Sequence, residues 1–169
     1  MQALVVYESF FGNTAAVARA IAEGIGPDAS AMTTDDATPE VVAKADLVVV
    51  GAPVLGFRLP TDDVRAGLLR ETGAPTPPDT SHRSMRAWLK ALPTGKAGVA
   101  AFETRFRFSP GGSIGTITDE LERAGFRPVA KGRKFLVTGK YGPLKAGELE
   151  RARAWGAELV AAAQDRARS

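Results

Sequence analysis

Three short runs, over residues 3–7, 47–50 and 97–102, are apolar without polar alternation. Strands covered by helices on both faces read this way, so these runs predict a parallel sheet. A weaker strand is expected over residues 30–33 and a last one over residues 135–138, five in all. The stretches between them carry helical spacing. Val17, Ile21 and Ile25 recur on one face after Thr14, and Gly24 and Gly26 stand ready to end that helix. Met85, Trp88, Leu89 and Leu92 repeat the spacing up to Pro93, and Ile117, Leu121 and Ala124 do so up to Gly125. A final stripe runs through Leu149, Ala152, Gly156, Leu159, Val160 and Ala163, with Glu148, Arg151 and Glu158 placed elsewhere around the helix. Residues 71–80, with three prolines, exclude regular structure over most of their length and read as a surface loop or linker.

Strand alternating with helix predicts an α/β fold, a doubly wound five-stranded parallel sheet with helices on both faces. One domain spanning residues 1–169 is the expectation. In such a fold ligands collect at the carboxyl ends of the strands, so function is sought in the loops that follow them. Composition narrows the chemistry. No cysteine is present, which excludes disulfides, thiolate metal sites and thiol nucleophiles; redox chemistry, if any, needs a bound cofactor. No run is long enough to cross a bilayer, and the first residues lead straight into a strand, so a cytoplasmic protein without a membrane span is expected. The formal charge is +3, with cations scattered among glutamates. Lys131, Arg133 and Lys134 form only a short basic patch beside Phe135, so no nucleic-acid partner is expected. No metal spacing and no Ser/His/Asp set stands out. His82, the single histidine, falls in the proline-rich connection and reads as solvated.

The sharpest signal follows the first strand: Ser9, Phe10, Phe11, Gly12, Asn13 and Thr14 at a strand-to-helix turn. The first N–H groups of a helix lack internal partners and lie at the positive end of its dipole, so an anion seated there receives several charge-assisted hydrogen bonds. Ser9, Asn13 and Thr14 add side-chain donors, and Gly12 permits a turn that other residues resist. No lysine follows as in a Walker-type loop, and the Gly-x-Gly-x-x-Gly of dinucleotide folds is absent.

The run from Val5 to Thr14, with Ala18 four residues on, resembles the flavodoxin signature. That resemblance implies one FMN, its phosphate wrapped by Ser9, Phe10, Phe11, Gly12, Asn13 and Thr14 through side chain or backbone. It further implies that Pro53, Val54, Leu55, Gly56 and Phe57 form one loop along the flavin ring, and that Glu103, Thr104, Arg105, Phe106, Phe108, Gly111 and Gly112 belong to the second. The Gly111-Gly112 pair also reads as a turn into a helix capped by Ser113 or Thr116. With only seven residues between Arg127 and Phe135, short-chain flavodoxins are the nearer comparison. Where those proteins place tryptophan or tyrosine at the ring, this chain offers phenylalanines. Electron-shuttling flavodoxins are acidic around the ring, whereas Arg58, Arg105 and Arg107 fall on these loops. The resemblance implies electron transfer with a redox partner protein. An NAD(P)H:quinone reductase or protoporphyrinogen-oxidase-like enzyme, and an interaction module without flavin, are the alternatives. No catalytic side chain need exist, since the cofactor carries the chemistry.

Overall fold

The computed structural model describes residues Met1–Ser169, none omitted. Strands β1 (Ala3–Tyr7), β2 (Ala29–Thr33), β3 (Leu47–Pro53) and β4 (Gly98–Arg105) stand in the order β2-β1-β3-β4, all parallel. The fifth position is filled in two pieces along β4, namely β5 (Arg127–Pro128) and β6 (Arg133–Leu136). The last strand therefore starts earlier than its apolar residues suggested. Between the pieces, a Cβ on Gly132 would lie 2.4 Å from Ile114 Cγ2. Only a bare backbone fits under the helix there.

Alternate residues of the central strands enter opposite cores, as the pleat requires. Leu4, Val6, Val48 and Val50 pack on one side with Met85, Trp88, Leu89, Ile117 and Leu121, which belong to α4 (Met85–Lys90) and α5 (Ile114–Arg123). Val5, Leu47 and Val49 pack on the other with Val17, Ile21, Trp155 and Leu159, from α1 (Asn13–Ile25) and α6 (Glu148–Ala167). The four helices expected from periodicity are all present.

Two further short helices, α2 (Pro39–Val42) and α3 (Asp62–Leu68), were not expected from periodicity. Their signal is in the caps. The Thr38 and Thr61 side chains accept hydrogen bonds from the Val41 and Val64 N–H groups, Pro39 occupies the first turn of one, and Asp62 and Asp63 that of the other. Glu148 was expected on the polar side of its helix and is instead 4% exposed. Its Oε2 accepts the Leu136 N–H at 2.7 Å, tying the start of α6 to the end of β6. No helix is long and apolar enough to cross a membrane.

Candidate functional site

The strand ends of β1, β3, β4 and β6 converge on one cleft, lined by Ser9, Phe10, Phe11, Asn13, Thr14, Pro53, Val54, Leu55, Thr104, Arg105, Phe106, Val137 and Lys140. Three separate segments singled out from sequence thus meet at one place. Val137 and Lys140 were missed, although they directly follow the last strand and the same rule about strand ends would have found them.

At the base of the cleft Gly12 adopts a left-handed conformation, φ 93°, and caps α1 without any side-chain hydrogen bond. The Ser9 hydroxyl accepts the Gly12 N–H at 3.2 Å, and the Ala16 N–H returns to the Gly12 carbonyl. The N–H groups of Phe10, Phe11, Asn13, Thr14 and Ala15 meet no acceptor within the chain. This is a donor set suited to an oxyanion with several oxygens, placed where the α1 dipole adds attraction. Thr14, 2% exposed, shares a 2.8 Å hydrogen bond between its hydroxyl and that of Thr104, joining the loop after β1 to the end of β4. Thr14→Val should strand the buried Thr104 hydroxyl and lower stability by about 1–3 kcal/mol, read as a shift in urea midpoint.

The cavity volume of this cleft is about 40 Å³. That is room for a few waters or a compact anion, far below the several hundred Å³ of a site that swallows a whole aromatic ligand. Beyond it lies the rim. There the large apolar side chains are uncovered: Phe57 is 63% exposed, Phe106 44% and Phe108 87%. Phe57 is the only non-glycine residue with a positive φ, 65°, directly after Gly56 at 62°. Holding a phenylalanine in that region costs about 1–2 kcal/mol and aims its ring outward.

The two rim loops are stitched together. The Leu55 and Arg58 backbones pair, the Gly112 N–H donates to the Phe57 carbonyl at 3.1 Å, and the Ser113 hydroxyl donates to the Pro53 carbonyl at 2.8 Å. Gly111 must lack a side chain, since its Cβ would fall 1.8 Å from the Phe57 carbonyl oxygen. Glu103, 1% exposed, has both oxygens engaged within the chain. Its Oε1 accepts the Ser113 and Ile114 N–H groups at 3.0 Å, so Glu103, and neither the Ser113 nor the Thr116 hydroxyl, caps α5. Its Oε2 pairs with Arg105 at 2.8 Å.

Arg105 is therefore no rim cation. It is 6% exposed, donates to the Gly111 carbonyl at 2.9 Å and to the Phe106 carbonyl at 3.2 Å, and its charge is balanced by Glu103. Arg58 and Arg107 remain exposed, the latter lying 5.3 Å over the Phe108 ring. His82 departs furthest from expectation. It is 5% exposed, and its Nε2 accepts the Ser9 N–H at 3.3 Å behind the anion loop. Its position amid prolines suggested solvent because the docking of residues 79–85 onto β1 is a long-range contact without local periodicity.

No protein-family model matches the sequence, and no curated protein is similar to it. Solved structures do resemble it in fold. Oxidised flavodoxin 1 from Bacillus cereus superposes with a TM-score of 0.65 at 18% identity, covering 95% of this chain and 98% of that one. A flavodoxin from the domain Archaea gives 0.62 at 18% identity, over 97% of this chain and 99% of the other. The rubredoxin oxygen:oxidoreductase of Desulfovibrio gigas gives 0.62 at 17% identity, with 99% of this chain matching 37% of that protein. The chain has the flavodoxin-like fold. Its parallel sheet order is what defines this class here.

Proposed function

We propose that residues 1–169 form a single-domain FMN carrier in electron transfer, with the phosphate held by the Ser9–Thr14 loop. The observation that carries this reading is the set of five unpaired N–H groups in the loop after β1 and the first turn of α1, flanked by the Ser9, Asn13 and Thr14 side chains. The flavin would supply the electron or hydride chemistry. Leu55, Phe57 and Phe106 would line the ring, since phenylalanine stacks on an aromatic without a polar handle. Glu103 supports these loops from behind, with both its oxygens engaged within the chain, while the Gly111 and Gly112 backbones remain at the ring edge. Purified protein should be yellow and release a fluorescent flavin on unfolding; colourless protein that takes up no added FMN would leave only an interaction module.

Arg58 and Arg107 give the rim a positive edge that suits an acidic redox partner protein. The same edge stabilises negative charge gained by the ring on reduction. Charge reversal at both, Arg58→Glu with Arg107→Glu, should lower the two-electron midpoint potential by about 30 mV or more, about 1.4 kcal/mol for such a couple. An unchanged potential would show that these arginines lie too far from the ring to act on it. The open aromatic rim favours one second reading, an enzyme passing hydride from NAD(P)H to a quinone. Steady-state oxidation of NAD(P)H by the flavin-loaded protein in the presence of a quinone would establish it; a carrier shows none without a reductase.

A further inference from the structure

Residues 79–85 are fastened to the exit of β1 at three successive positions. The Asp79 N–H donates to the Phe10 carbonyl at 2.8 Å, the Ser9 N–H to His82 Nε2 at 3.3 Å, and the Met85 N–H to Glu8 Oε2 at 3.1 Å. Arg65 from α3 closes the brace, pairing with the fully buried Glu8 carboxylate and donating to the His82 carbonyl at 2.7 Å. Its guanidinium also lies 5.3 Å over the Phe10 ring. The segment that looked like a linker is built into the back of the anion loop.

Two groups of this brace can take up a proton: the Glu8 carboxyl, whose pKa burial raises, and the His82 imidazole, the joint that meets Ser9 directly. An imidazole nitrogen that accepts an N–H must carry a lone pair, so the ring is neutral with its proton on Nδ1. Nδ1 is buried without a hydrogen-bond partner, and the nearest carboxylate oxygen, Asp79 Oδ1, is 3.8 Å away. Protonation of Nε2 would set two donors, the ring N–H and the Ser9 N–H, against each other. Ser9 is also the residue whose hydroxyl holds the Gly12 N–H, so losing its anchor loosens the turn itself.

We infer that His82 is a positioning residue for the anion loop and acts as a proton-operated latch: neutral, it holds Ser9 and the loop in shape, and protonated, it releases them. The charged groups around it come from every packed element: Asp79 on its own segment, Glu8 directly after β1, Arg65 on α3 and Asp35 after β2. Burial is the main influence and pushes the His82 pKa down; Arg65 pushes the same way, and Asp79 and Asp35 oppose. Asp79 stays anionic because the Ser81 hydroxyl and N–H hold its carboxyl below the usual range. The folded pKa lies below the unfolded value, so the latch is shut at neutral pH. The unfolded chain takes up the proton first as pH falls below about 6.5, and stability falls with it.

The consequence for FMN rests on the reading proposed above, and the two can fail separately. His82 is the single histidine, so its ring C–H signals can be followed in the apoprotein without ambiguity. The Ser9 amide signal should shift with the same midpoint as the ring, and in His82→Gln, whose side-chain oxygen accepts the N–H but gains no proton, it should stay fixed. FMN affinity should match wild type within about threefold at pH 8 in that variant. Below the midpoint wild type should lose affinity by up to about tenfold per pH unit beyond the loss in His82→Gln, which already contains the titration of the FMN phosphate itself. His82→Phe, without an acceptor, should bind more weakly at every pH and show no excess slope. A Ser9 amide that ignores the His82 titration, or a His82→Gln protein with the wild-type pH slope, would overturn the latch. A Ser9 amide that tracks His82 in a protein binding no FMN at any pH supports the latch and removes the cofactor reading.

Discussion

Gly156→Val is expected to cost about 3 kcal/mol or more, enough to leave much of the chain unfolded in mild urea. Helices α1 and α6 cross with their backbones in contact. A Cβ at Gly156 would lie 2.3 Å from the Ile21 carbonyl oxygen, and one at Gly24 would lie 1.9 Å from the Arg153 carbonyl oxygen. Backbone atoms cannot swing aside like a side chain, so α6 must lift and thin the packing of Trp155 and Leu159 on the sheet. Gly67→Ala in α3 is the matched control. Nothing lies within 4 Å of its would-be Cβ, and it should raise stability by up to about 1 kcal/mol. A urea titration of both reads the contrast directly; a Gly156→Val protein as stable as wild type would mean that the helices pack further apart than described.

Glu103→Ala should be the most damaging change among the rim residues, by about 3–5 kcal/mol, because it leaves the buried Arg105 unpaired and strips the two capped N–H groups from α5. The loss should be local as well as global. Arg105 reaches the Gly111 and Phe106 carbonyls, so the aromatic loop of residues 106–112 loses its tether along with the pair. Increased amide exchange confined first to residues 106–114, together with a lowered thermal midpoint, is the pattern to look for. Glu103→Gln keeps an oxygen for the α5 cap and should lose roughly half as much.

The doubly wound sheet was legible because β1, β3 and β4 are buried on both faces, which forces apolar runs without alternation. The donor-rich turn after β1 was legible for a related reason: its donors and Gly12 sit within six residues, so local chemistry alone marks them. What could not be read was set at long range. Glu103 looked like a cleft group from its place on β4, yet the partner that claims it is the start of α5, ten residues on. His82 looked solvated among prolines, and its partner Ser9 lies 73 residues away. The break between β5 and β6 depends on Gly132 passing under Ile114, a contact that no periodicity encodes. In each case local sequence marked a special residue and the tertiary fold decided what it does.

On the proposed reading, the loop of Ser9, Phe10, Phe11, Gly12, Asn13 and Thr14 makes the phosphate, more than the ring, the anchor of the ligand; the small cavity beside the loop and the open rim beyond it favour this. Parallel fluorescence titrations of the protein with FMN and with riboflavin, at pH 8 and low salt, test this most directly. One FMN per chain is expected, bound at least about 100-fold more tightly than riboflavin, because several charge-assisted hydrogen bonds hold the phosphate. Equal affinity for the two, or no binding of FMN, would contradict it.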